Sequence, residues 1–423
     1  MTALRLVLLA LALAACDPSH SNSNPNDPND PNDPNDPKDP NDPRDPVGLD
    51  MIALKMKSPP AMVTCMAFVP GTRDLFIGTW GGTVHHVRLI GDPADEVENI
   101  ATFEVPEVHA HHDCGLISLA FAPDFADKPE LFVAHCTSNT ESAIRRLPLD
   151  AQLAPIAGAD RDVFRAGDPA AERAWHNVGS IGFEPDGTLW AFFGDKVIRG
   201  NGQSLDDALG ALVRLVPTDS GAVPAADNPF FGASDKSEYI YAWGLRSPWR
   251  GTLDAKGRWF VGDVGEATWE EVNMVQSAED NFGWGDVEGP CETNCEGLID
   301  PLVAWDRSED HPLLLDDPEA EPVTSRVVWV GPSYDAHRGD QPDRYDGLLS
   351  GRILYGDMCL GFLRGVVVDD DGVKTDDRHL AHLAGSTAMA VGPDGFVYAA
   401  TFGKCMNVGP EHKMKLLRLV PEY

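Results

Sequence analysis

The chain predicts an all-β fold, a six-bladed β-propeller, on three observations. A phrase of apolar strand, tight turn and apolar strand recurs six times between residues 48 and 423. Glycine and aspartate gather at its turns, where a tight hairpin needs positive φ. Helical periodicity is nearly absent, with Ser204–Leu212 the best case. Radial repetition of small sheets leaves few open edges, which suits such a repeat. A pair of β-sandwiches is the rival arrangement.

The N-terminal segments precede the fold. Arg5 is followed by the apolar run Leu6–Ala15, which ends in Leu-Ala-Ala before Cys16. A helix needs about 20 apolar residues to cross a bilayer, so residues 1–15 read as a signal peptide. A cysteine directly after small residues resembles the lipobox of bacterial lipoproteins. That resemblance implies a lipid on Cys16 and an exported protein anchored to a bacterial membrane, periplasmic or at the cell surface. The alternative is an ordinary signal peptide cut nearby. Residues 16–47 are a tandem Asn-Asp-Pro repeat, varied at Lys38 and Arg44. Proline at every third position blocks helix, and nothing apolar is available to bury, so this is an extended tether.

The six phrases follow in order. They occupy residues 67–87, 119–136, 181–195, 251–265, 350–372 and 389–403. No second linker interrupts them, so 48–423 reads as one repeat domain. The long insertions between phrases are expected as loops on one face, where a site can be built. The formal charge of −34 argues against nucleic acid, which requires a basic patch.

Eight cysteines are present. With Cys16 lipidated, the odd remainder leaves at least one unpaired. Disulfides are expected outside the cytoplasm, and Cys291 and Cys295 are close enough to clip one loop. No CxxC motif supports a structural zinc site.

One histidine stands out. His176-Asn177 sits before a strand around Ile181–Phe183, a Pro185–Gly187 turn and a second strand, Leu189–Phe193, that ends in Gly194-Asp195. This sets His176 on a loop held by a rigid sheet, a common place for catalytic groups. Trp175 beside it reads as a stacking platform or a packed aromatic. The cluster His109, His111, His112 and Asp113 reads as a solvated loop or a transition-metal site. His85 and His86 lie in a strand and face opposite ways. No GxSxG, Walker or GxGxxG pattern occurs.

The longer motifs point to a family. They are Gly115-Leu-Ile-Ser-Leu-Ala-Phe-Ala-Pro-Asp-Phe125, His176-Asn177 with its Pro-Asp-Gly turn, Tyr241-Ala-Trp-Gly-Leu-Arg-Ser-Pro-Trp-Arg250 and Gly262-Asp-Val-Gly265. Trp269-Glu-Glu-Val-Asn273, Asn281-Phe-Gly-Trp284 and Tyr355-Gly-Asp-Met-Cys359 complete the set. In this order the chain resembles, from about Val63 to Val420, the glucose/sorbosone dehydrogenase family and the related Hedgehog-interacting-protein-like propellers. The former are six-bladed propellers that use pyrroloquinoline quinone (PQQ) and Ca2+.

The resemblance implies oxidation of an aldose or related alcohol, a small-molecule substrate. His176 would be the base, because imidazole titrates near working pH. The quinone would take the hydride, with calcium polarising its carbonyl. Arg246 would bind the cofactor's carboxylate or quinone oxygens. Trp80, Asn177, Ser180 and Ser247 fall at positions that face the cofactor. Ser180 stands where the family commonly has arginine, Ser247 where it has asparagine, and Trp80 where a first-blade polar residue contacts the cofactor. Calcium would be held through carbonyls at Gly265-Glu266, and a second calcium by Glu270, Glu271 and backbone near Phe282. Adjacent glutamates on a regular strand point to opposite faces, so joint chelation would need a loop or bulge. The same resemblance leaves a second reading: a non-catalytic propeller that binds a glycan or protein partner, with calcium only structural.

Overall fold

The computed structural model describes residues 45–233, 235–307, 325–405 and 411–423. The expected signal peptide, Cys16 and nearly all of the Asn-Asp-Pro tether lie outside the described residues. Residues 46–423 form one compact unit.

Six antiparallel sheets carry this unit. Blade 1 is Val63–Phe68, Asp74–Thr79, Thr83–Gly91 and Ala94–Glu104. Blade 2 is Leu116–Phe121, Glu130–Cys136, Glu141–Pro148 and Arg161–Gly167. Blade 3 is Val178–Phe183, Leu189–Phe193, Ala211–Thr218 and Gly221–Pro224. Blade 4 is Pro248–Leu253, Trp259–Asp263, Trp269–Val275 and Val303–Asp306. Blade 5 is Val328–Ser333, Arg352–Asp357, Phe362–Val368 and Lys374–His382. Blade 6 is Ser386–Val391, Val397–Thr401 and Lys415–Glu422, completed by Gly48–Ala53 from the other end of the chain.

The first strand of each blade touches the first strands of its two neighbours, and blade 6 returns to blade 1. That closed ring is a propeller and not a pair of sandwiches. The middle strands are buried on both faces, as in Asp74–Thr79 and Leu189–Phe193, so apolar residues run continuously there. Apolar layers such as Phe132, Ile181 and Phe193 fill the space between blades. Every first strand carries a register shift against its neighbour in the blade. Such bulges bend a strand and re-aim its side chains.

Two expectations are corrected. Ser204–Leu212 is not helical; its bends run into the strand Ala211–Thr218. Its apolar residues Leu205, Ala208 and Leu209 pack into the layer between blades instead. The phrase at 350–372 supplies the second and third strands of blade 5 rather than the first pair. Blade 5 begins at Val328–Ser333, and the short helix Tyr334–Arg338 separates that strand from the next. With no tight turn, the hairpin signal is missing there.

Cys291 and Cys295 form the expected clip, with Cα atoms 5.8 Å apart. Cys359 and Cys405 form a second disulfide. Cys65, Cys114 and Cys136 are buried thiols.

Candidate active site

His176 sits in the segment that enters blade 3, nearly buried and with φ at +50°. Few non-glycine residues adopt that conformation, and where they do the neighbourhood imposes it. Three contacts impose it here. Gly194 N donates to Asn177 O at 2.9 Å, and Lys196 N to His176 O at 3.3 Å. His176 Nδ1 lies 2.6 Å from Asp195 Oδ1.

Asp195 is 1% exposed and fully engaged. Its Oδ1 also accepts Val197 N at 2.7 Å, and its Oδ2 accepts Trp284 Nε1 at 2.7 Å. Its backbone N donates to Arg246 O at 2.8 Å. A carboxylate surrounded by donors assigns the shared proton to His176 Nδ1, inferred from the network. Nε2 is then the free lone pair.

Gly194 lets these segments converge. A Cβ there would lie 2.5 Å from His176 O and 3.1 Å from Arg246 O. The Gly-Asp pair that ends the hairpin is thus both hinge and anchor.

Arg246 leads into blade 4. Its backbone N donates to Asp263 Oδ2 at 2.8 Å, and Ser247 N donates to Asp263 Oδ1 at 2.6 Å. Its guanidinium donates to Val264 O at 2.8 Å and lies 5.3 Å from the Trp284 ring. The buried Nε has no partner, and Arg246 makes no ion pair among the described residues. Burial, then the neighbouring Glu271 carboxylate, raises the Asp263 carboxyl, while the N–H groups of Arg246 and Ser247 pull it back.

Asp113 lies within electrostatic reach of His176 and Arg246. Surrounding protein pushes its carboxyl above the usual range, against the opposing pull of His176, His112 and Arg246. The residue is exposed to solvent. Trp80 Nε1 donates to His112 O at 3.0 Å, and the His112 ring meets Trp175 edge-on at 6.0 Å. Trp80, His112 and Trp175 therefore form one contiguous group, and Trp175 precedes His176 in the chain.

The other expected residues are more dispersed. Asn177 is turned inward: its Nδ2 donates to Ala174 O at 3.0 Å, and its Oδ1 accepts Lys196 Nζ at 2.6 Å. Lys196 is itself buried, and burial lowers its pKa against the opposing pull of Cys136 and Cys114. Ser180 lines the central channel, where its Oγ accepts Gly251 N at 3.1 Å.

Gly265 O accepts Arg307 at 2.9 Å, and Glu266 pairs with Arg199 at 3.0 Å. Glu270 and Glu271 lie in an unbroken strand and diverge as alternation requires. Glu270 pairs with Arg307 and accepts Val328 N at 3.0 Å. Burial first, then Asp357, pushes Glu270 up to about 8. Glu271 accepts Gly289 N at 2.7 Å and Asn273 Nδ2 at 3.0 Å. Phe282 is buried, with its N bound to Trp243 O at 3.0 Å. Among the described residues, no three His, Cys, Asp or Glu side chains group to hold a metal ion. In the histidine cluster, His109 and His111 both turn a ring nitrogen to Asn139 Oδ1, at 2.7 and 3.2 Å.

Sequence reasoning missed Asp195, Trp284 and Asp263 as site residues, and named Asp113 only as a metal-ligand candidate beside the histidines. Asp195 and Asp263 each end a second strand in a Gly-Asp or Gly-Asp-Val phrase, a repeated position that marks the same end of two blades. Trp284 carried no local signal, because its partner lies 89 residues away.

Comparison with known proteins agrees with the six-bladed fold. Aldose sugar dehydrogenase YliI of Escherichia coli K12 is 26% identical over 384 residues, 86% of this chain and 94% of that protein. Human Hedgehog-interacting protein is 30% identical over 267 residues, 59% of this chain and 34% of that protein. The PQQ-bound aldose sugar dehydrogenase of Streptomyces coelicolor superposes with a TM-score of 0.65 at 22% identity, covering 89% of this chain and 99% of that one. The apo form of the E. coli soluble aldose sugar dehydrogenase gives 0.66 at 21%, covering 88% and 100%. The family described as Glucose / Sorbosone dehydrogenase matches residues 59–405. With a six-bladed ring and a match over most of its length, the chain belongs to the glucose/sorbosone dehydrogenase family.

Proposed function

We propose that this protein is a PQQ-dependent dehydrogenase that oxidises an aldose or a related alcohol. One observation carries the reading: a histidine oriented by buried Asp195 is joined, through that aspartate's backbone and its Trp284 partner, to Arg246, an arginine with an unpartnered buried Nε. The orphaned Arg246 Nε suits an anionic group. An oxygen-rich, multiply anionic quinone offers carboxylate and carbonyl oxygens to that guanidinium. When bound, PQQ supplies a two-electron acceptor for hydride.

This chain's residues do the rest. His176 Nε2 takes the proton of the substrate hydroxyl. Asp195 holds Nδ1–H in place and stabilises the imidazolium that forms. Asp263 ties down the backbone of Arg246 and Ser247, so the guanidinium keeps its aim. Trp80 and Trp175 offer flat apolar faces for a sugar ring. The side chains expected to hold calcium are tied to protein partners, Glu270 to Arg307 and Val328 N, and Glu271 to Gly289 N and Asn273. We also propose export and lipid anchoring through Cys16.

One observation favours the second reading, a non-catalytic propeller that binds a glycan or protein partner. Asp113 sets a carboxylate where an anionic cofactor would approach.

The test is reconstitution of the protein with PQQ and calcium, followed by dye reduction over a panel of sugars. Tryptophan quenching reports quinone binding separately. Turnover that falls at least 100-fold in His176→Ala supports the enzyme. Absence of both turnover and quinone binding sinks it. For the anchor, Cys16→Ser should move the protein from the membrane fraction to the soluble one.

A further inference from the structure

The central channel holds a second unspent charge, far from His176 along the strands. A cavity of about 720 Å3 is lined by the first strands of the blades and the turns that follow them. His176 and Arg246 precede their first strands, so the cavity opens at the other end of the ring.

The third residue of all six first strands lines it: Cys65, Ser118, Ser180, Arg250, Val330 and Ala388. Arg250 comes from blade 4 and reaches across. Its Nε donates to Thr387 O of blade 6 at 3.1 Å, and another guanidinium nitrogen donates to Thr64 O of blade 1. The guanidinium lies 4.5 Å from the Trp249 ring. It is 9% exposed and makes no ion pair among the described residues.

Carbonyl contacts satisfy hydrogen bonds but do not cancel a buried charge, which is costly in a poorly solvated place. Burial accordingly lowers Arg250 to about 10. Ser118 and Ser180 accept backbone N–H groups from Ile181 and Gly251, at 3.2 and 3.1 Å. Those bonds leave both hydroxyl protons to donate.

The walls beyond this ring are mostly apolar, with Phe68, Phe121, Phe183 and Met389 half-buried around the cavity. Its polar members are engaged, Asp254 with Arg258 at 2.8 Å, Asp335 with Gly351 N at 2.6 Å and His337 with Ser333 O at 2.9 Å. From the third to the sixth residue of a strand is about 10 Å. A cavity with largely apolar walls in which Arg250 is the one arginine or lysine, within the roughly 300–1,000 Å3 of small-molecule sites, suits an amphiphilic anion.

We propose that this end of the channel binds a small organic carboxylate, its head on Arg250 and its apolar body against the aromatic walls. The site is independent of the oxidation chemistry proposed above.

The test uses the full chain carrying Cys16→Ser, with octanoate as probe and octanol and formate as controls, read by titration calorimetry. Octanoate should bind one per chain, with octanol and formate at least 10-fold weaker. Arg250→Gln should weaken octanoate at least 10-fold. Met389→Trp narrows the cavity without touching the charge and should also weaken octanoate; it decides the matter should Arg250→Gln not fold. No octanoate binding, formate binding as tightly as octanoate, or unchanged affinity in the folded variants would overturn the proposal.

Discussion

His176 gains its meaning from Asp195. An imidazole alone at a strand entrance can rotate and exchange tautomers; with Nδ1–H held at 2.6 Å it presents one lone pair in one direction. Asp195→Asn keeps the shape but puts an amide where the carboxylate stood. Steady-state dye reduction should show kcat lower by roughly 100-fold or more, with quinone affinity within about threefold of the parent. Equal losses in kcat and quinone affinity would instead mean a collapsed site. Gly194→Ala tests the same convergence from the backbone. Its Cβ would strike His176 O and Arg246 O, so it should lower both turnover and thermal stability. His176 was legible in the sequence because its hairpin is local. Asp195 stood in plain view at the end of the same hairpin, but only a sheet with its second strand paired to the first brings residue 195 against 176.

At the scale of the element, blade 2 shows how its outer strands are fixed. Asp162 accepts Arg145 Nε at 2.6 Å and pairs with Arg165, with His135 nearby at 3.7 Å. Burial alone would raise the Asp162 carboxyl, but His135 and the arginines outweigh it and hold it below the usual carboxylate range. A depressed carboxylate stabilises the fold above the unfolded value, about 3.9, and that contribution disappears as pH falls through the folded value. Asp162→Asn should therefore cost about 2 kcal/mol at pH 7, and the gap from the parent should close as pH drops below about 4. Urea unfolding across that range measures it; a gap constant with pH would remove the charge from the explanation. Alternation settles Glu270 and Glu271 at the same scale. The strand stays regular through both, so the sequence rule that adjacent side chains diverge holds.

The whole molecule is a ring, and a ring needs a clasp. Gly48–Ala53 pairs with Lys415–Glu422, from Gly48 opposite Glu422 to Ala53 opposite Leu417. Leu49 is 3% exposed and packs with Leu417 and Leu419. Leu49→Ala should cost about 2–4 kcal/mol, and deletion of residues 48–53 should cost more by leaving the strand Lys415–Glu422 with an unpaired edge. Thermal unfolding and limited proteolysis would show it; a deletion that leaves both unchanged would mean that the ring does not depend on this clasp. The disulfide from Cys359 to Cys405 adds a covalent tie between blades 5 and 6.

The strands, the six-fold repeat and the histidine hairpin were determined by the sequence itself. Alternation and turn chemistry act between neighbours in the chain, so they need no knowledge of the fold. The first strand of blade 5 escaped because a helix, not a tight turn, follows it. Tertiary structure alone decided which groups meet. Trp284 reaches Asp195 across 89 residues, and Arg250 spans the channel to carbonyls 137 and 186 residues away. Ring closure creates those meetings, because each blade brings its first strand to one axis whatever its position in the chain. Local pattern placed His176 at the mouth of a strand, strand pairing within blade 3 gave it a carboxylate, and the neighbouring blade brought Arg246 O against the Asp195 backbone N.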